Sequence, residues 1–235
     1  MSEQNKAQPA RQRERSTAVR LSCWSAVVAA PITIIAVLIT VFTVSGPTLD
    51  VNTAQSPAFV AANLLSTVGA LLLVYGLPGV FARWHEGWGR TGLVGIALLS
   101  LAALILSFVS LLAALIDPWL AEKAPQLVKD PGPPLFLAIS FTSLAALSAG
   151  TILMAIPILR RRVSPRWIGF LLVASAVMYP VYVYAAFSSS KVLLSLVGSL
   201  SPICFLVAVG SLGYSGASET RTARTESMPS TAQRA

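Results

Sequence analysis

The sequence predicts an all-α integral membrane bundle of six transmembrane helices with the N and C termini cytoplasmic. Three observations predict it. Of 235 residues, 55% are hydrophobic and only 11% charged, and the mean hydropathy is +0.73, a composition of the membrane class. The apolar residues fall into six runs of 22 to 25 residues without Asp, Glu, Lys, Arg or His. Each is long enough to cross a hydrocarbon core of about 30 Å at about 1.5 Å per helical residue. The third observation is the side on which the basic residues fall. With both tails inside, 14 of the 17 Lys and Arg, including every Arg, lie on the cytoplasmic side, which sets the orientation of a multi-pass chain. The same placement turns a net charge of +8 and a pI near 10.1 into a topology signal, and no nucleic-acid partner is expected.

Residues 1–20 are polar and basic, too poor in large apolar residues to order a core, and are expected to be a disordered cytoplasmic tail. The six-helix domain covers 21–216, with spans at 21–45, 58–82, 92–116, 135–159, 167–188 and 192–215. Runs apolar on all sides read as helices, since barrel strands would alternate. The first run is longer than a signal-peptide core and reads as a retained span. Trp24, Trp84, Trp88, Trp119 and Trp167 stand at or just beyond span ends, where the indole ring prefers the headgroup layer. The longest connection, 117–134, mixes five prolines with Trp119 and Leu120 and is expected to rest on the outer surface. Residues 217–235 form a second disordered cytoplasmic tail.

Small residues recur every fourth position at Ala58, Ala62, Ser66 and Ala70, and again at Ala138, Thr142, Ala146 and Gly150, a pattern that lets helices approach closely. Pro31, Pro78, Pro157, Pro180 and Pro202 interrupt five spans, each freeing a backbone carbonyl. A parallel internal repeat is suggested by the segments starting at Gly69 and Gly150, each followed by a proline and basic residues. Cys23 and Cys204 lie at different depths, beyond the ~7 Å limit for a disulfide, and read as small buried hydrophobes.

In the loop before the fifth span, Arg160, Arg161, Arg162 and Arg166 flank Ser164 and Pro165 and lead into Trp167 and Gly169. The arginines and Trp167 are expected to anchor the topology, Ser164 to cap the helix, and Gly169 to admit a neighbouring helix. This basic, Pro-Arg-Trp, aliphatic, Gly segment resembles one in uncharacterised bacterial multi-pass membrane proteins of domain-of-unknown-function type. The stretch 75–95, with Gly-Leu-Pro-Gly and Gly-Arg-Thr-Gly-Leu, is similar to another part of such proteins. The resemblance implies a bacterial helical membrane protein and brings no activity with it.

No chemistry is assembled by spacing. The spans carry no charged coupling residue for ion transport, and His85-Glu86 lacks the second histidine of a zinc-protease helix. No catalytic residue, metal or cofactor is expected. The polar residues of the spans are uneven, however, with 19 Ser, Thr, Asn and Tyr in the outer halves against 10 in the inner. Asn63 and Thr67 share one helix face, as do Tyr179 and Tyr182. These four are the candidate lining of a pocket for a neutral amphipathic or lipid-like molecule, with interhelical hydrogen bonding as the plainer explanation. The expected function is thus non-catalytic binding of a lipid-like ligand or of a partner membrane protein, a second copy included. The alternative is a permease for a small neutral or apolar substrate, and a membrane enzyme comes third.

Overall fold

The computed structural model describes residues 3–44, 49–128, 134–161, 164–187 and 191–226, and among them every regular element is a helix. The elements are α1 (Glu3–Thr43), α2 (Val51–Ala54), α3 (Pro57–Lys123), α4 (Pro125–Val128), α5 (Pro134–Arg161), α6 (Arg166–Phe187) and α7 (Lys191–Glu226). Among the described residues four helices are long and apolar enough to cross a membrane, within Ser16–Thr43, Pro57–Lys123, Ala138–Arg160 and Leu196–Ser218. The second contains two of the six apolar runs of the sequence. The fifth run falls on α6, where Arg166–Tyr182 forms a shorter apolar helix.

A straight helix of 67 residues would reach about 100 Å. Instead α3 doubles back at Gly89, whose φ of 58° and ψ of −155° leave the helical region. The arm 57–88 then lies along the arm 90–123, with the Thr67 hydroxyl 3.4 Å from the Ser107 carbonyl. The elbow is closed by Trp88, which is 1% exposed and packs its ring 6.5 Å from that of Phe81. Trp88 was expected at the headgroup belt. The charges of 83–90 mark an exit from apolar sequence but not the end of the helix, so Trp88 is carried inward by the turn. Trp24, Trp119 and Trp167 are exposed.

Neighbouring arms pack antiparallel, and glycines mark the closest approaches. On α1 against the first arm of α3, a Cβ at Gly76 would sit 2.6 Å from the Ala26 nitrogen, and one at Gly69 would overlap the Thr33 side chain. Gly95 and Gly150 bring the second arm of α3 onto α5 in the same way. Gly169 admits Leu159 of α5, and Gly213 places α7 against Cys23 and Ala26 of α1. Gly69 and Gly150, aligned by the repeat, therefore both face the arm that precedes them.

The small-residue stripes differ from the expectation. Ala58 and Thr142 are exposed, whereas Ala62, Gly69, Leu73, Gly76 and Val80 are buried on the first arm, and Ser143, Leu147, Gly150, Met154 and Ile158 on α5. A step of four residues advances about 40° beyond a full turn and winds off the contact face, while alternating steps of three and four stay on it.

Helix also extends into both expected tails. α1 begins at Glu3 and α7 runs to Glu226, where Glu, Gln, Ala and Arg are good helix formers. The expected surface segment 117–134 begins as the last turns of α3, which reach Lys123 before α4; residues 129–133 lie outside the described residues. Ser164 does not cap α6. It is buried with its hydroxyl unpartnered among the described residues, and the Ile168 N–H goes to the Pro165 carbonyl at 3.1 Å. Cys23 is buried and Cys204 half-buried, both as free thiols.

Candidate functional site

Prolines and hydroxyls explain one another in this bundle. Pro78 has no N–H, so the ladder of the first arm opens around it. Ser22 of α1 bonds beside this proline, donating to the Tyr75 carbonyl, lying 3.3 Å from that of Gly76 and accepting the Gly79 N–H at 3.0 Å. One turn on, Ser25 donates to Leu72 at 2.7 Å. Pro180 leaves free the carbonyl of Ala176, four residues earlier, and Ser148 of α5 donates to it at 3.0 Å. Ser201 of α7 donates to the neighbouring Ser175 carbonyl at 3.1 Å. Other hydroxyls bond within their own helices, as Thr40 does to Ala36, Ser107 to Leu104 and Ser143 to Ser140.

The four candidate pocket residues form two separate pairs. Asn63 donates its amide to the Phe59 carbonyl of its own helix at 3.0 Å, and Thr67 donates to Asn63 at 2.9 Å beside Ser107 of the other arm. Tyr179 is buried on α6 beside the side chains of Ser175 and Ser201, and the Tyr182 ring lies over Gly198 of α7. α3 packs on α1 and α5, and α6 on α5 and α7, with no comparable contact between α3 and α6. In ligand-free protein, Asn63→Leu and Tyr182→Phe are each expected to change stability by no more than about 0.6 kcal/mol, the typical worth of one such bond in a membrane. Thermal unfolding in detergent checks this. A larger loss would show that either polar group holds helices together.

At the other end of the bundle lies a cleft of about 360 Å³ lined by Ser16, Val19, Arg20, Ala82, Arg83, His85, Glu86 and Gly216. Three elements build it. α1 supplies Ser16 to Arg20, the last turns of the first α3 arm supply Ala82 to Glu86, and Gly216 of α7 lets the third wall close in. A Cβ there would lie 3.2 Å from the Cys23 sulfur and 3.4 Å from Cγ of Arg83. The His85 Nδ1 lies 2.9 Å from the Ala82 carbonyl, so that nitrogen carries the proton and Nε2 is the group left to the outside. Arg20, Arg83, His85 and Glu86 are all exposed, so charge and an apolar edge from Val19 and Ala82 meet at one opening.

In the sequence Arg20 and Arg83 count only among the charges that set orientation, and His85-Glu86 only as an incomplete zinc-protease pair. The missing signal was pairing, because only the antiparallel contact of α1 with α3 brings the two arginines together. The topology anchors Arg160 and Arg166 are exposed at this same end, with Trp167 at the start of α6; Arg161 closes α5, and Arg162 lies outside the described residues. Among the described residues no group of His, Cys, Asp and Glu could hold a metal ion. No family model, curated protein or solved structure matches the chain, and its function is to be read from its own residues.

Proposed function

We propose that the chain is a multi-pass protein of the bacterial plasma membrane, crossing six times with both termini in the cytoplasm, and that it works by binding a lipid-like molecule without catalysing a reaction on it. The observation that carries this reading is the distribution of chemistry by depth. The described Asp, Glu, Lys, Arg and His residues lie outside the six charge-free runs, while the interior is apolar and hydroxyls such as those of Ser22 and Ser148 go to backbone carbonyls. Such a body offers recognition at its lipid-facing flank and at its ends. Six crossings follow if the two arms of α3 and the helix α6 each span, and the inward orientation follows from the arginines at 20, 83, 90, 160 and 166.

Two measurements test this. Cysteines introduced at Thr53 and Gln126 are expected to react with an impermeant thiol reagent from outside the cell, and those at Thr91 and Ser218 only after lysis. Outside labelling at Thr91 would remove the six-span reading. Purification from native membranes is expected to retain lipid at fixed stoichiometry. A stoichiometric partner protein without lipid, or flux of a neutral solute in proteoliposomes, would replace this reading with a partner-binding protein or a permease.

A further inference from the structure

We infer that the cleft between α1, the first arm of α3 and α7 is a binding site for the phosphate of an anionic phospholipid of the cytoplasmic leaflet, held by Arg20 and Arg83. This deepens the proposed function and rests on it for the lipid ligand and for the cytoplasmic placement of this end.

Two guanidinium groups from different helices line one opening of about 360 Å³. Guanidinium offers a planar fork of donors that matches phosphate oxygens, and it is held here on rigid helical backbone. The level also fits. Arg20 and Arg83 each directly adjoin one of the charge-free runs, 21–45 and 58–82, which is the depth of lipid phosphates rather than of cytosol or hydrocarbon. Along the membrane from the cleft, Leu21 and Trp24 of α1 and Tyr214 of α7 are exposed, and Trp24 meets Tyr214 edge to face at 6.5 Å. An acyl chain descending from a phosphate at Arg20 has this apolar flank to lie on.

The remaining polar groups set the preference. Glu86 lines the same opening, so the cleft holds two fixed positive charges and one negative one. That balance suits a singly charged phosphodiester whose headgroup also carries a hydroxyl for the carboxylate to accept from, as phosphatidylglycerol does. His85 and Ser16 add a ring nitrogen and a hydroxyl at the rim. A phosphocholine headgroup has the phosphodiester but no hydroxyl to donate, and its ammonium cancels the charge that the two arginines would neutralise.

The full chain in nanodiscs of phosphatidylcholine, titrated with phosphatidylglycerol and followed by native mass spectrometry, tests the site. Saturable binding of one lipid is expected, weakened about thirty-fold in the double variant Arg20→Gln/Arg83→Gln, from the roughly tenfold per 1.4 kcal/mol and about 1 kcal/mol per basic group at a membrane surface. Ala82→Trp, at an exposed position that fills the opening without removing charge, is expected to weaken it too. The charge-matched control Arg160→Gln/Arg166→Gln, outside the cleft, is expected to leave binding unchanged. Equal loss in the control, or full binding in both cleft variants, would overturn the site while leaving a lipid-binding protein. Equal occupancy by phosphatidylcholine would overturn the anionic preference. Saturation by soluble glycerol phosphate that displaces the lipid at equal concentration would show a free phosphate as the ligand and overturn the lipid assignment.

Discussion

Trp88→Ala is expected to lower stability by about 3–5 kcal/mol, the range for removing a large aromatic side chain from a packed interior. Trp88 is 1% exposed and belongs to the same core as Leu77, Leu99, Ile158, Ile168 and Leu172. It lies in the elbow of α3, directly over Gly92, where a Cβ would come within 2.5 Å of its own Cβ. Neighbouring arms cannot collapse into the space without closing the elbow, so the cavity term is expected in full. The indole Nε1 is buried with no partner among the described residues. Trp88→Phe therefore gives up volume without losing a hydrogen bond, and is expected to cost less than half as much. Chemical or thermal unfolding in detergent decides it; a loss under about 1 kcal/mol for the alanine variant would mean that the elbow is not packed as described.

Gly89→Ala is expected to cost about 1–3 kcal/mol for a different reason. Its φ of 58° with ψ of −155° lies in a region that is essentially glycine-only. Gly89 is exposed, so an added methyl meets no crowded core and the whole effect is conformational. Asparagine, which tolerates the left-handed helical region, does not relieve this ψ and is expected to be equally poor. Stability equal to that of the parent in either variant would show that the arms of α3 can be joined by another turn.

The positions of the long helices were legible because a charge-free run of about 25 residues has few alternatives in a membrane. The same signal overstated the loops. Arg83, His85 and Glu86 end an apolar run, yet the helix continues through them to Trp88, so a residue expected at the surface became part of the core. Gly169 was read correctly as a close approach because its reason is local. The stripes at Ala58 and Ala138 were not, because counting by fours ignores the drift of a helix with 3.6 residues per turn. The outer-half excess of polar residues is divided between two places, Asn63 and Thr67 on α3 and Tyr179 and Tyr182 on α6, for a similar reason. Sequence position cannot tell a threonine that bonds its own helix, such as Thr40, from a serine that reaches across, such as Ser148. The cleft at Arg20 and Arg83 joins residues 63 positions apart, and their meeting depends on which helices are neighbours.

The bonding of Ser22 beside Pro78 bears on how the chain assembles. Alone in lipid, the arm 57–88 has only the Tyr75 carbonyl and the Gly79 N–H to satisfy each other, an i, i+4 pair in the turn that Pro78 weakens. With α1 alongside, one hydroxyl serves both, and Gly76 and Gly79 leave room for it to arrive. The turn at Pro78 is thus held by α1 as well as by its own helix. Synthesis from the N terminus delivers α1 first, so the partner that braces the weakened turn is already in the bilayer when that turn emerges.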